Sequence, residues 1–112
     1  ADAENVFLYG ISRGGMMSYF GVRENWPVRA AAVVGAITDL EAYLKVTDPE
    51  LKLARSVWPN YDTDKERIHA RRSAVRWPEK INKPVLILHG GADPQVSPVH
   101  ALNLARALTE LK

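Results

Sequence analysis

This sequence predicts an α/β fold built on three parallel strands, and three observations carry the prediction. Short, nearly unbroken apolar runs stand at about 5–9, 30–36 and 85–89, as strands buried on both faces do. Segments with helical signals separate them, and strands alternating with helices argue for parallel pairing. The first run also passes through a Gly-x-Ser-x-Gly turn straight into a helix-like segment, which is a strand–turn–helix order rather than a hairpin.

Taken in order, Val6-Phe7-Leu8-Tyr9 carries the first strand. Gly10 and Gly14 flank Ser12, where a sharp turn is expected to leave no room for a Cβ. Met16, Met17, Tyr19, Phe20 and Val22 supply apolar bulk for a helix over about 13–25. The second strand is Ala30-Ala31-Ala32-Val33-Val34-Gly35-Ala36, and a helical excursion follows over residues 38–80. Thr38…Glu41, Thr47…Glu50 and Thr63…Glu66 each fit the T-x-x-E capping box, and Asp48-Pro49 adds a cap with Pro in the first turn. These signals predict helices over about 39–46, 49–57 and 64–76, the last broken by Trp77-Pro78. An excursion at the C-terminal end of the strands is where a lid or pocket wall sits.

Lys83-Pro84 launches the third strand, with Pro at its edge, where a missing N–H does least harm. Ser97-Pro98 opens a last helix over about 98–111, with Ala101, Leu104, Ala105, Leu108 and Leu111 as its apolar stripe. Trp26, Trp58 and Trp77 each neighbour a proline and read as core or loop anchors, with Trp58 also suited to line a substrate pocket.

Composition narrows the function classes. At 112 residues the chain is one domain or part of one, and its 46% hydrophobic and 25% charged residues are those of an ordinary soluble globular protein. A net charge of +2 is too mild to argue for nucleic acid. Arg71-Arg72, the single basic doublet, reads as a solvated helix face rather than a phosphate or carboxylate clamp. Zero cysteines exclude disulfides and thiolate metal sites. No apolar run approaches a membrane span, so no membrane partner is expected, and nothing in the sequence calls for a cofactor. The compartment stays open, with the cytoplasm favoured. The chain starts Ala-Asp-Ala-Glu without an initiator Met and reads as cut from something longer.

Two motifs carry chemistry. Tyr-Gly-Ile-Ser-Arg-Gly-Gly at 9–15 joins strand to helix, and such a turn projects Ser12 Oγ from the C-terminal end of the strand, where open α/β sheets bind ligands. Small residues in turns also match this pattern by chance; the register of strand, elbow and helix is what makes Ser12 read as a nucleophile. The Arg13 backbone N–H, at the positive end of the helix, is the expected oxyanion-hole donor, while its side chain is given no catalytic role. His89-Gly90-Gly91-Ala92-Asp93-Pro94 follows the third strand directly. Asp93 would serve a turn there well, but paired with the elbow upstream it reads as the acid that orients a catalytic histidine. The base should follow Asp93 in the chain. His100 sits in the first turn of the final helix and would have to fold straight back to Ser12. His89 reads as bonding the loop that shapes Asp93, and His69 as a surface or packing residue. None fits as the base.

With elbow, acid loop and spacing in view, the chain resembles the catalytic domain of the prolyl oligopeptidase family of serine peptidases, an α/β-hydrolase. The family's G-x-S-x-G-G elbow is matched by Gly10, Ser12, Gly14 and Gly15. Its R-S-A/P…K-I-x-x-P-x-L-x-x-H-G-x-x-D stretch is matched by Arg72-Ser73-Ala74, Lys80-Ile81, Pro84, Leu86, His89-Gly90 and Asp93. The resemblance implies Ser12 as nucleophile, Asp93 as triad acid, a histidine some tens of residues past Asp93, and a second oxyanion donor from a loop before Ala1. It therefore implies that residues 1–112 are part of a hydrolase domain, lacking its N-terminal strands and the segment with the histidine.

Topology points the same way. Strands in sequence order with right-handed crossovers put both connecting helices on one face and leave the other bare, whereas parallel sheets are found covered on both. The rest of a hydrolase domain, or a second copy of the chain, is the expected cover. The expected activity is a serine-type hydrolysis through an acyl-enzyme on Ser12, with a peptide or acyl substrate, and the chain alone is expected to be inactive for want of a base. An esterase with the same triad and a non-catalytic hydrolase-like module are the alternatives.

Overall fold

Alternate residues of an extended run face opposite sides of a sheet, so each of the three apolar runs offers an apolar row to both faces. The computed structural model describes residues 3–46 and 48–111. In it the runs become β1 (Phe7–Ile11), β2 (Ala30–Val34) and β3 (Val85–Leu88), one parallel sheet in the order β1-β2-β3. The register sets Tyr9 beside Ala32 beside Leu86, and Ile11 beside Val34 beside Leu88. β1 runs two residues past its expected end because Gly10 and Ile11 still pair with Val33 and Val34. β2 stops at Val34 because Gly35 turns the chain with φ +56°.

Helices α1 (Arg13–Arg23) and α5 (Val99–Glu110) pack against the same face of the sheet. Tyr19 from α1, Val33 from β2 and Leu104 from α5 meet there in one cluster with Ala36, Ala74 and Trp77. On α5 the inward stripe is His100, Leu104 and Leu108, whereas Ala105 and Leu111 of the expected stripe face solvent. The opposite face of the sheet has no cover among the described residues. Phe7 is 60% exposed, Tyr9 67% and Leu86 58%, and Ile11 and Leu88 lie open beside them. Strand order, one-sided helices and the bare face are as the topology argument required.

The excursion forms α2 (Leu40–Val46), α3 (Asp48–Val57) and α4 (Tyr61–Arg72), then 3₁₀ turns at Ala74–Arg76 and Pro78–Lys80. A second cluster joins it to the rest: Met16 of α1 and Ile37 pack with Leu40, Leu44, Ala54, Tyr61, Ile68 and Val96. The capping boxes do not form where they are described. Thr38 Oγ1 donates instead to the buried His100 carbonyl at 2.9 Å, and Asp39 Oδ1 takes over the cap by accepting from the Ala42 amide. Thr63 Oγ1 donates back to the Asn60 carbonyl, and α4 starts three residues early with a kink at Asp64, where the helix was expected to begin. Thr47…Glu50 and Asp48-Pro49 lie outside the described residues and side chains. The helix expected to reach residue 76 ends at Arg72 because Ser73 turns extended, and its Oγ accepts the Leu40 amide of α2 at 2.8 Å.

Candidate active site

All three strands point their C-terminal ends one way, so the loops after Ile11, Val34 and Leu88 share a rim. Ser12 leaves β1 there with its N–H donating to the Val34 carbonyl at 2.9 Å, and Gly35 leaves β2 with its N–H donating to the Leu88 carbonyl at 2.9 Å. Ser12 has φ 56° and ψ −114°, a left-handed backbone that a residue with a Cβ adopts only under strain. Its carbonyl accepts from the Gly15 and Met16 amides and so opens α1. A serine at this position ordinarily spends its hydroxyl on capping the helix; the Ser12 hydroxyl makes no cap bond.

Two close approaches hold the elbow. A Cβ on Gly10 would lie 2.1 Å from the Gly14 carbonyl oxygen and 2.5 Å from Ser18 Oγ, which itself donates to that carbonyl at 2.8 Å. A Cβ on Gly15 would lie 2.5 Å from the Ala36 Cβ. The crowding expected at Gly14 is absent, for a Cβ there meets nothing within 4 Å. The reason is direction: Gly14 is exposed and borders an open cleft, while Gly15 is buried toward the loop after β2.

Arg13 is the first residue of α1. Its amide belongs to the first turn, whose N–H groups lack partners within a helix and sit at the positive end of its dipole. Beside the elbow lies a cleft of about 300 Å³ bordered by Arg13, Gly14, Met17, Val57 and Trp58, with the Arg72 guanidinium 5.2 Å from the centre of the Trp58 ring. Trp58 is thus both a packing residue and a cleft wall. Another cavity of about 290 Å³ lies on the excursion, where Glu41 pairs with Lys45 and Arg55 with Asp62.

Asp93 is held by its own loop. Its Oδ1 accepts from the Gln95 amide at 2.9 Å and the Val96 amide at 3.0 Å. Those amides, Val96 first, keep the carboxyl below the usual carboxylate range, with His89 adding to the effect. Its Oδ2 lies only 3.2 Å from where a Cβ on Gly35 would stand, which places the carboxylate over the end of β2. Gly35, expected only as part of the second strand, borders the site instead. Its signal was a glycine closing an apolar run, and both its φ of +56° and the approach of Asp93 call for the missing Cβ.

The three histidines are otherwise engaged. His100 is buried, its Nδ1 accepting the amides of Thr38 at 3.1 Å and Asp39 at 3.3 Å, and burial pushes its imidazole below the ordinary value. His69 is buried rather than at the surface, bonded through Nε2 to the Tyr61 hydroxyl at 2.8 Å, and burial lowers it too. His89 Nε2 donates to the Val96 carbonyl at 2.7 Å, within the acid loop as expected.

The prolyl oligopeptidase family model matches residues 1–112, the whole chain. Among solved structures, a Mycobacterium tuberculosis puromycin-hydrolyzing peptidase is similar at 28% identity with a TM-score of 0.83, covering 98% of this chain and 17% of its own. A puromycin hydrolase is similar in fold at 20% identity with a TM-score of 0.84, covering 96% of this chain and 16% of its own. Residues 1–112 thus span about a sixth of the length of these structures. Comparison with curated proteins found no match.

Proposed function

The chain belongs to the prolyl oligopeptidase family, and from that premise we propose that it carries the nucleophile and the acid of a serine peptidase. Ser12 Oγ attacks the carbonyl carbon of a peptide bond, and the Arg13 N–H receives the developing oxyanion. The proton passes to a histidine outside residues 1–112, and that histidine then gives it to the leaving amine, freeing an acyl-enzyme for water. Asp93 Oδ2 orients the imidazole and balances its charge. The observation that carries this reading is the strained Ser12 backbone, with a hydroxyl kept out of helix capping at the C-terminal rim of a parallel sheet.

Residues 1–112 alone are nearly inert on this reading, because loss of one triad member costs on the order of four to six powers of ten in rate. The bare sheet face takes further elements of the same hydrolase domain as its cover.

A fluorophosphonate tests the reading on the protein carrying these residues with the rest of its domain. Mass spectrometry should place the adduct on Ser12, and Ser12→Ala should remove it. An adduct elsewhere, with Ser12 unmodified, overturns the assignment. Peptide amides, puromycin and short acyl esters offered side by side then divide peptidase from esterase.

A further inference from the structure

A carboxylate that orients a base must be held to within a fraction of an ångström, and loops hold side chains less firmly than strands do. Asp93 stands on a loop, yet its two backbone donors lead to a firmer anchor. Val96, whose amide bonds Asp93 Oδ1, buries its side chain in the cluster with Met16 and Ile37. Its carbonyl accepts from Nε2 of His89, the residue directly after β3, whose side chain is only 4% exposed. Asp93 Oδ2 also faces this nitrogen at 3.6 Å. Two oxygens around one nitrogen require the proton on Nε2. Nδ1 is left buried with no hydrogen-bond partner among the described residues. An apolar side chain of similar size would avoid that loss, so packing alone does not account for an imidazole here.

We propose that His89 is a positioning residue, whose Nε2–H clamps the Val96 carbonyl at the base of the loop so that strand β3 sets the direction of the Asp93 carboxylate. The proposal rests on Asp93 being the acid of the site. His89 touches neither substrate nor reacting atoms and acts through Val96.

The test compares His89→Phe, which removes the donor at similar volume, with His89→Gln, which keeps an N–H at similar reach. Carbon-13 NMR follows the Asp93 carboxyl through its titration. The Phe variant should move the midpoint up toward the ordinary carboxylate value, and the Gln variant should bring it back. Labelling of Ser12 by the fluorophosphonate should slow about 10- to 100-fold in the Phe variant, with the acid limb of the pH–rate profile moving to lower pH as the imidazolium loses its counter-charge, and recover in the Gln variant. Loss of stability with an unmoved Asp93 titration and an unmoved acid limb overturns the proposal. Should the Phe variant fail to fold, His89→Asn, too short to reach Val96, replaces it in the comparison with Gln. If Ser12 is not labelled even in the unaltered protein, the peptidase reading fails; the Asp93 titration still decides the role of His89.

Discussion

Gly10→Ala puts the strand–helix elbow under direct test. The new methyl would stand 2.1 Å from the Gly14 carbonyl oxygen and 2.5 Å from Ser18 Oγ, both in or beside the first turn of α1. Backbone cannot rotate away as a flexible side chain can, so that turn must retreat by about 1 Å to restore ordinary contact. Overpacking of this kind costs about 1–3 kcal/mol, and the Ser18–Gly14 hydrogen bond adds about 1 kcal/mol if the shift breaks it. A loss of about 2–4 kcal/mol in urea unfolding is expected, read from tryptophan fluorescence. The same retreat carries the Arg13 amide out of place, and displacement of about 1 Å at a reacting centre costs about 100-fold in rate. Gly14→Ala is the control, since a Cβ there meets nothing within 4 Å; its stability should change by less than about 1 kcal/mol. Equal effects of the two substitutions, or no effect of Gly10→Ala, would refute the close-approach account of the elbow.

Two further outcomes follow from burial. His100 accepts two amides through Nδ1 and is pushed below its ordinary value, so the unfolded chain takes up the proton first. Stability is therefore full above about pH 6.5 and falls progressively below it, until the folded protein also protonates. His69 acts with the same sign, so the His100 ring signal in NMR identifies its share; a stability curve flat through this range contradicts the reading. On the bare face, Tyr9→Lys with Leu86→Glu in the 112-residue chain should change unfolding by less than about 0.5 kcal/mol while reducing concentration-dependent association in sedimentation. A loss of several kcal/mol would mean that this face is already covered.

The three strands, their parallel pairing and the elbow were legible because each rests on local chemistry: unbroken apolar runs, a glycine two residues before Ser12, and a helix pattern beginning at once. Ser12, Arg13 and Asp93 stood out as candidates for the same reason, each standing at the junction of two readable elements. The caps were misread because Thr38 and Thr63 found better partners than their own helices, and the one at Thr38 lies 62 residues away in His100. Gly14 was taken as crowded along with Gly10, which is crowded, because spacing along a chain says nothing of which way an absent Cβ would point. Ser73 ends α4 early to bond the start of α2, a pairing across 33 residues that no local pattern announces. Val96, and the close approach of Asp93 to Gly35, gained their meaning only when the loops after β2 and β3 met over the sheet. Element type and the placing of Ser12 and Asp93 at strand ends were therefore set by neighbours along the chain, where propensity and turn geometry act. The partners of those residues were chosen by long-range packing, because hydrogen bonds in a folded core go to whichever donor or acceptor the sheet brings within 3 Å or so.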